Sequence, residues 1–171
     1  MTSYTLDTCA LIYIYEHPNV GGLVACRFDS SKSNFYICSM NRIELERKGY
    51  DFYDVVTRVQ QNIGAKIIVE DITPEIINNA EILSSVCKGL HKGDREILSF
   101  AISKHSILVT SDKGLLKCCK KIGAKAVNLH GLATNYTERY RIIYGRVSRY
   151  AKGIPKERLW GHCRPVEGEI T

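Results

Sequence analysis

The stretch DREILSFAISKHSILVTSD, residues 94–112, passes from a helical pattern to a strand pattern within nineteen positions. In its first half Ile97, Leu98, Ala101 and Ile102 recur at helical spacing and form one apolar stripe. Asp94 lies three and four residues before Ile97 and Leu98, so it shares that inward face. In its second half Ser106–Thr110 is a short, mostly apolar run that suits a buried strand. Asp112 follows two residues later, where that strand ends. One acid thus projects from a helix face and another stands at a strand end. A buried, isolated carboxylate costs several kcal/mol or loses its charge. A pair of them makes sense if something positive sits between.

Outward from this stretch, strands and helices alternate. Residues 3–7 read as a strand ending in Asp7, with Thr8 placed to cap the helix that follows. His17-Pro18 ends that helix, and residues 20–30 form a second. Residues 35–38 are the next strand, and Ser39 caps a helix running to Lys48 that carries Glu44 and Glu46. Residues 51–63 are helical, 66–69 a strand. Thr73-Pro74-Glu75 opens a helix running to Cys87. Residues 88–93 form a loop, 113–121 a helix and 125–129 a last short strand. Glu70 and Asp71 read as a loop and fall outside the candidate site. The pattern predicts a three-layer α/β/α domain over residues 1–131, with a central, mostly parallel sheet of about five strands. Residues 132–171 read as a basic C-terminal extension, packed on the domain or continuing it.

The chain has 171 residues, 44% apolar and 25% charged, enough for one domain with a real core. No apolar run approaches the ~18 residues of a membrane span, and no basic-then-apolar leader opens the chain. Cys9, Cys26, Cys38 and Cys87 lie in or beside apolar segments, which suggests reduced core thiols and a cytoplasmic protein. Cys118 and Cys119 are adjacent, a poor zinc pattern.

The charge is uneven. Residues 1–131 hold 16 basic and 14 acidic residues, and residues 132–171 hold 8 and 4. Two thirds of the net +6 therefore sits in the last 40 residues. In the extension Tyr136, Tyr140, Ile143, Tyr144 and Val147 recur at helical spacing, with Arg139, Arg141, Arg146 and Arg149 largely off that stripe. Two readings of this tail stand level: the arginines and tyrosines contact RNA, or the stripe covers the sheet or makes a homodimer. Lys88, His91, Lys92 and Arg95 cluster by Asp94, either as a solvated loop or as contacts for phosphates near the cleft.

In an open parallel sheet the functional crevice lies at the carboxyl ends of the strands. Asp7, Glu44, Asp94 and Asp112 fall there or on the element that follows. Singly, each has an ordinary explanation: Asp7 and Asp94 as helix caps, Glu44 as a solvated helix residue, Asp112 as a turn residue. As an ordered set on one sheet edge they point to a site for a hard divalent cation, Mg²⁺ or Mn²⁺.

These segments resemble those of PIN domains. Asp7-Thr-Cys-Ala-Leu-Ile resembles the family's opening motif. Ser39–Leu45 resembles its glutamate-bearing helix. Asp94-Arg-Glu-Ile-Leu-Ser-Phe-Ala and Leu108-Val-Thr-Ser-Asp112-Lys resemble its last two motifs. The likeness spans residues 3–129, in the family's order. It implies a divalent-metal-dependent endoribonuclease acting on single-stranded RNA, either a toxin of the VapC kind with an antitoxin partner or an RNA-processing enzyme. It implies Asp7, Glu44, Asp94 and Asp112 as metal ligands, and Thr110 or Ser111 as a supporting hydroxyl. Residues 114–116 lack a further acid found near there in many members. That departure keeps open an alternative, a catalytically weak or inactive PIN-like RNA-binding module.

Overall fold

A computed structural model of the chain describes residues 1–135. Arg139, Arg141, Arg146 and Arg149, and the rest of the tail, lie outside the described residues. Five strands, β1 (Thr2–Leu6), β2 (Ser33–Cys38), β3 (Ile67–Glu70), β4 (Ile107–Thr110) and β5 (Ala126–Asn128), form one all-parallel sheet in the order β3-β2-β1-β4-β5. The helices are α1 (Thr8–Glu16), α2 (Pro18–Arg27), α3 (Ser39–Arg47), α4 (Phe52–Ile63), α5 (Pro74–Val86), α6 (Lys92–Ser103) and α7 (Lys113–Ile122). Residues 129–135 are also helical, and Leu129 and Ala133 enter the core, so the chain crosses residue 131 without a break.

Strand alternation sends side chains into two cores, one on each face. Tyr4, Leu6, Phe35, Ile37, Ile107 and Val109 meet α1, α2 and α4. Cys38, Leu108 and Ala126 meet α5, α6 and α7. Each fully buried Leu or Ile in these layers contributes roughly 1.5–3 kcal/mol. β4 is buried along its whole length, as a strand covered by helices on both faces must be. Helices α4 and α7 stop at Gly64 and Gly123, whose φ values of 66° and 74° suit a residue without a Cβ.

The sheet order places the reversal of winding at β1 and β4. These strands are neighbours, with Leu6 opposite Val109, yet α1 leaves β1 to one face and α7 leaves β4 to the other. Departing chains that diverge this way leave a crevice beyond the strand ends. Asp7 and Asp112 stand on its two sides.

Several local expectations are corrected. The first helix is capped by Asp7, not Thr8. Helix α3 is capped by Cys38, not Ser39, because Asn41 closes a capping box with it. Helix α6 starts at Lys92, so Asp94 lies in its first turn and is not its cap. Ile102 is 44% exposed, because in the last turn of α6 it borders an open cleft beside α5. Glu70 is not in a loop: it ends β3 opposite Cys38 and pairs with Lys104. Cys87 is no free thiol; α5 and α7 converge enough to join it to Cys118 in a disulfide. Cys9, Cys38 and Cys119 remain free thiols. Among the described residues no helix is long and apolar enough to cross a membrane.

Candidate metal centre

Asp7 is the best-held of the four acids. It is 3% exposed, and its backbone N–H donates to the Val109 carbonyl at 2.9 Å, which pins the end of β1 to β4. Its Oδ1 accepts from the Thr8 N–H at 2.8 Å, the capping contact. Its Oδ2 accepts from the Thr110 hydroxyl at 2.7 Å and from the Cys9 thiol at 3.1 Å. Thr110 Oγ1 in turn accepts the Asp112 N–H at 3.0 Å, so one hydroxyl ties both strand-end acids together. Of the two expected supporting hydroxyls, Thr110 is the one on the site. The Ser111 hydroxyl instead accepts from the His130 N–H at 3.1 Å.

Asn41 positions α3. It is fully buried, donates to the Leu6 carbonyl at 3.0 Å and to Thr8 Oγ1 at 3.3 Å, and accepts from the Cys38 N–H at 2.9 Å. The ends of β1 and β2 are thereby locked to the start of α3. Glu44 follows Asn41 by three residues and so lies on the same helix face. It points at the first turn of α6: a Cβ at Gly93 would come within 2.9 Å of Glu44 Oε1. A side chain at Gly93 would push the Glu44 carboxylate aside, so glycine here leaves Glu44 its place beside the first turn of α6, which carries Asp94.

The electrostatics couple all four acids. Burial raises the carboxyl pKa of Asp7, its three hydrogen bonds oppose the rise, and the Asp112 charge adds to it. Burial pushes Glu44 up to about 7, helped by the charges of Asp7 and Asp94. Burial pushes Asp94 up to about 6, helped by Asp7 and Asp112 and opposed by His91 and Lys48. Asp112 is exposed and caps α7, accepting from the Leu115 N–H at 2.8 Å. Its capping and site roles are compatible, because Oδ1 serves the helix and Oδ2 is left over.

Among the described residues, no three Asp, Glu, His or Cys side chains are gathered closely enough to enclose one ion as they stand. The donor set nevertheless fits a hard cation. All four donors are carboxylates. Glu44 Oε1 is buried with no hydrogen-bond partner, a costly arrangement for a charged oxygen unless a cation meets it. The mutual repulsion of their charges, which raises the pKa of Asp7, Glu44 and Asp94, is the penalty a cation would remove.

Sequence reasoning missed Cys9, Asn41 and Gly93. Asn41 was detectable in principle as the third residue of a capping box, but Cys38 is an unusual cap and hid it. Glu96 is a further buried acid, at 4% exposure, with Lys92 at 4.0 Å; it lies outside the proposed set.

No family model matches the sequence, and no curated protein matches it. Solved structures do. VapBC-1 from nontypeable Haemophilus influenzae is similar at 15% identity over 75% of this chain and 99% of that one, with a TM-score of 0.55. A PilT N-terminus domain protein from Sulfolobus solfataricus is similar at 15% identity over 78% and 92%, with a TM-score of 0.52. DNA-bound VapBC from Salmonella typhimurium is similar at 15% identity over 68% and 92%, with a TM-score of 0.51. The likeness establishes the fold, that of PIN (PilT N-terminus) domains, as the motif resemblance implied.

Proposed function

We propose that this PIN-fold chain is an endoribonuclease that cleaves single-stranded RNA with Mg²⁺ or Mn²⁺ held by Asp7, Glu44, Asp94 and Asp112. One observation carries the reading. Four electrostatically coupled carboxylates border the crevice where the sheet reverses its winding, and one of their buried oxygens, Glu44 Oε1, has no partner. A divalent cation, when bound, supplies Lewis-acid activation of water and countercharge for the leaving oxygen of a phosphodiester.

The protein's own contribution is placement. Thr110, Cys9 and the Thr8 N–H fix the Asp7 carboxylate, so its two oxygens keep one orientation. Asn41 and Gly93 bring Glu44 to the first turn of α6. With carboxyl pKa values near 7 and 6, Glu44 is about half protonated near neutral pH and Asp94 becomes so at slightly acid pH, protons that a bound cation would displace.

Two of the similar structures are VapBC complexes, one bound to DNA. They support a toxin-like role in which an antitoxin protein covers this chain; an RNA-processing role and a homodimer stay within the same proposal. Ile43 and Tyr53, exposed on α3 and α4, offer apolar surface for such a partner. We place the protein in the cytoplasm, where RNA is at hand.

The test is incubation of the purified chain with labelled single-stranded RNA. Cleavage is expected with Mn²⁺ and its abolition with EDTA. RNA binding without cleavage under any divalent cation would instead favour the RNA-binding module, to which the missing acid at 114–116 already points.

A further inference from the structure

A second cleft lies beside the first turn of α7, the helix that Asp112 caps. It measures about 430 Å³ and runs between loop residues 88–90, after α5, and Gly114, Lys117 and Lys121 of α7. No acidic residue lines it. The sequence agrees: residues 113–125 carry five lysines and no acid. Lys88 and Lys117 are exposed and form no ion pair among the described residues. Lys121 is committed differently: its Nζ donates to the Val86 carbonyl at 2.8 Å. That bond and the Cys87–Cys118 disulfide tie the two walls together, so the cleft is set before any ligand arrives.

Gly114 is the threshold between this cleft and the candidate metal centre. It lines the cleft, and a Cβ on it would stand 3.1 Å from Asp112 Oδ1 and 3.4 Å from Leu90 Cδ2. Gly114 thus joins the lysine-lined cleft to the start of α7, where Asp112 stands. The lining holds no aromatic ring to stack a base, so it recognises charge along a backbone and not base identity.

We propose that this cleft is a subsite for the phosphodiester backbone of single-stranded RNA, with Lys88 and Lys117 contacting phosphates that flank the one held at the four acids. The proposal rests on the nuclease reading and says where the substrate runs. Lysine suits the task as a mobile point charge that tolerates any nucleotide sequence.

The test is RNA binding by the full chain in EDTA, where cleavage is stopped, measured across a range of salt. The double variant Lys88→Gln/Lys117→Gln is compared with Lys32→Gln/Lys66→Gln, which removes two exposed lysines at the opposite, amino-terminal ends of β2 and β3. Each lost phosphate contact flattens the log–log salt dependence by about 0.7 on a single strand, so the cleft variant is expected to lose about 1.4 and the control nothing. Equal slopes in wild type and cleft variant would overturn the proposal. So would a wild type that binds polyglutamate as tightly as RNA and loses both together, since the cleft would then suit an acidic protein segment. The flattened slope in a chain that never cleaves RNA with Mn²⁺ keeps the subsite and sinks the nuclease reading. Full cleavage with an unchanged slope does the reverse.

Discussion

Asp7→Asn is expected to lower Mn²⁺-dependent RNA cleavage by on the order of a thousandfold while leaving the fold intact. The substitution keeps shape and removes charge. The Thr8 N–H still finds an oxygen at Oδ1. The new amide nitrogen faces Thr110 Oγ1, whose rotatable hydroxyl has lone pairs for both this donor and the Asp112 N–H. Folding is also spared the desolvation of a charge that is 3% exposed. The variant should therefore melt no lower than wild type without metal, and its lost activity is not a folding defect. Asp94→Asn is expected to act alike. Glu46→Gln is the control: Glu46 is 52% exposed and pairs with Arg42 at 2.9 Å, so cleavage should be unchanged. A full rate from either Asp variant would return these acids to capping and charge-balancing roles.

The second large effect is on stability. In EDTA the protein is expected to lose stability as pH rises from about 4.5 to 8. Glu44 has a folded pKa of about 7 against 4.5 for the free side chain, and Asp94 about 6 against 3.8. The folded state therefore binds more protons than the unfolded chain across this interval. The stabilisation is fully present below the unfolded values and is lost as pH passes through 6 and 7. Both groups are partly solvated, so the total, discounted for screening, is roughly 2 kcal/mol. Glu44→Gln removes its share, which should flatten the profile and leave the variant more stable than wild type at pH 8. Asp112→Asn is a weaker probe, because Asp112 is exposed and Asn preserves the α7 cap. Denaturant titrations at pH 5 and pH 8 provide the check. A wild type more stable at pH 8, with Glu44→Gln falling alongside it, would contradict the coupling.

Much of this was legible in the sequence because it is written in local signals. The helix-to-strand switch across residues 94–112, the Thr73-Pro74 helix start and the glycine stops at 64 and 123 are short-range physics. Alternation of strands and helices then left a parallel sheet as the consistent answer. Asp7 and Asp112 stood out at strand ends, Asp94 at a helix start, and Glu44 on the helix that follows β2. What stayed hidden depends on pairs far apart in the chain. Cys87 and Cys118 are separated by 31 residues with no cysteine-spacing motif to link them, and only the approach of the end of α5 to α7 brings them together. The choice between Thr110 and Ser111 as the supporting hydroxyl was equally hidden, because it is the β1–β4 pairing that carries the Thr110 hydroxyl, and not that of Ser111, to Asp7. The value of Gly93 lies in what stands opposite it, Glu44, not in any turn of its own.

Titration of the protein with Mn²⁺, with free Mn²⁺ followed by electron paramagnetic resonance, tests without relying on catalysis whether these acids share a cation. Wild type is expected to take up Mn²⁺ with an affinity that rises with pH as Glu44 and Asp94 lose their protons. Asp7→Asn and Glu44→Gln, on different elements, should each weaken uptake at least about tenfold, since loss even of a residue that only supports a ligand costs 10–100-fold. Glu46→Gln should bind as wild type does. Mn²⁺ uptake that is equally strong in all four proteins, or absent from wild type, would contradict a shared metal site at the ends of β1 and β4.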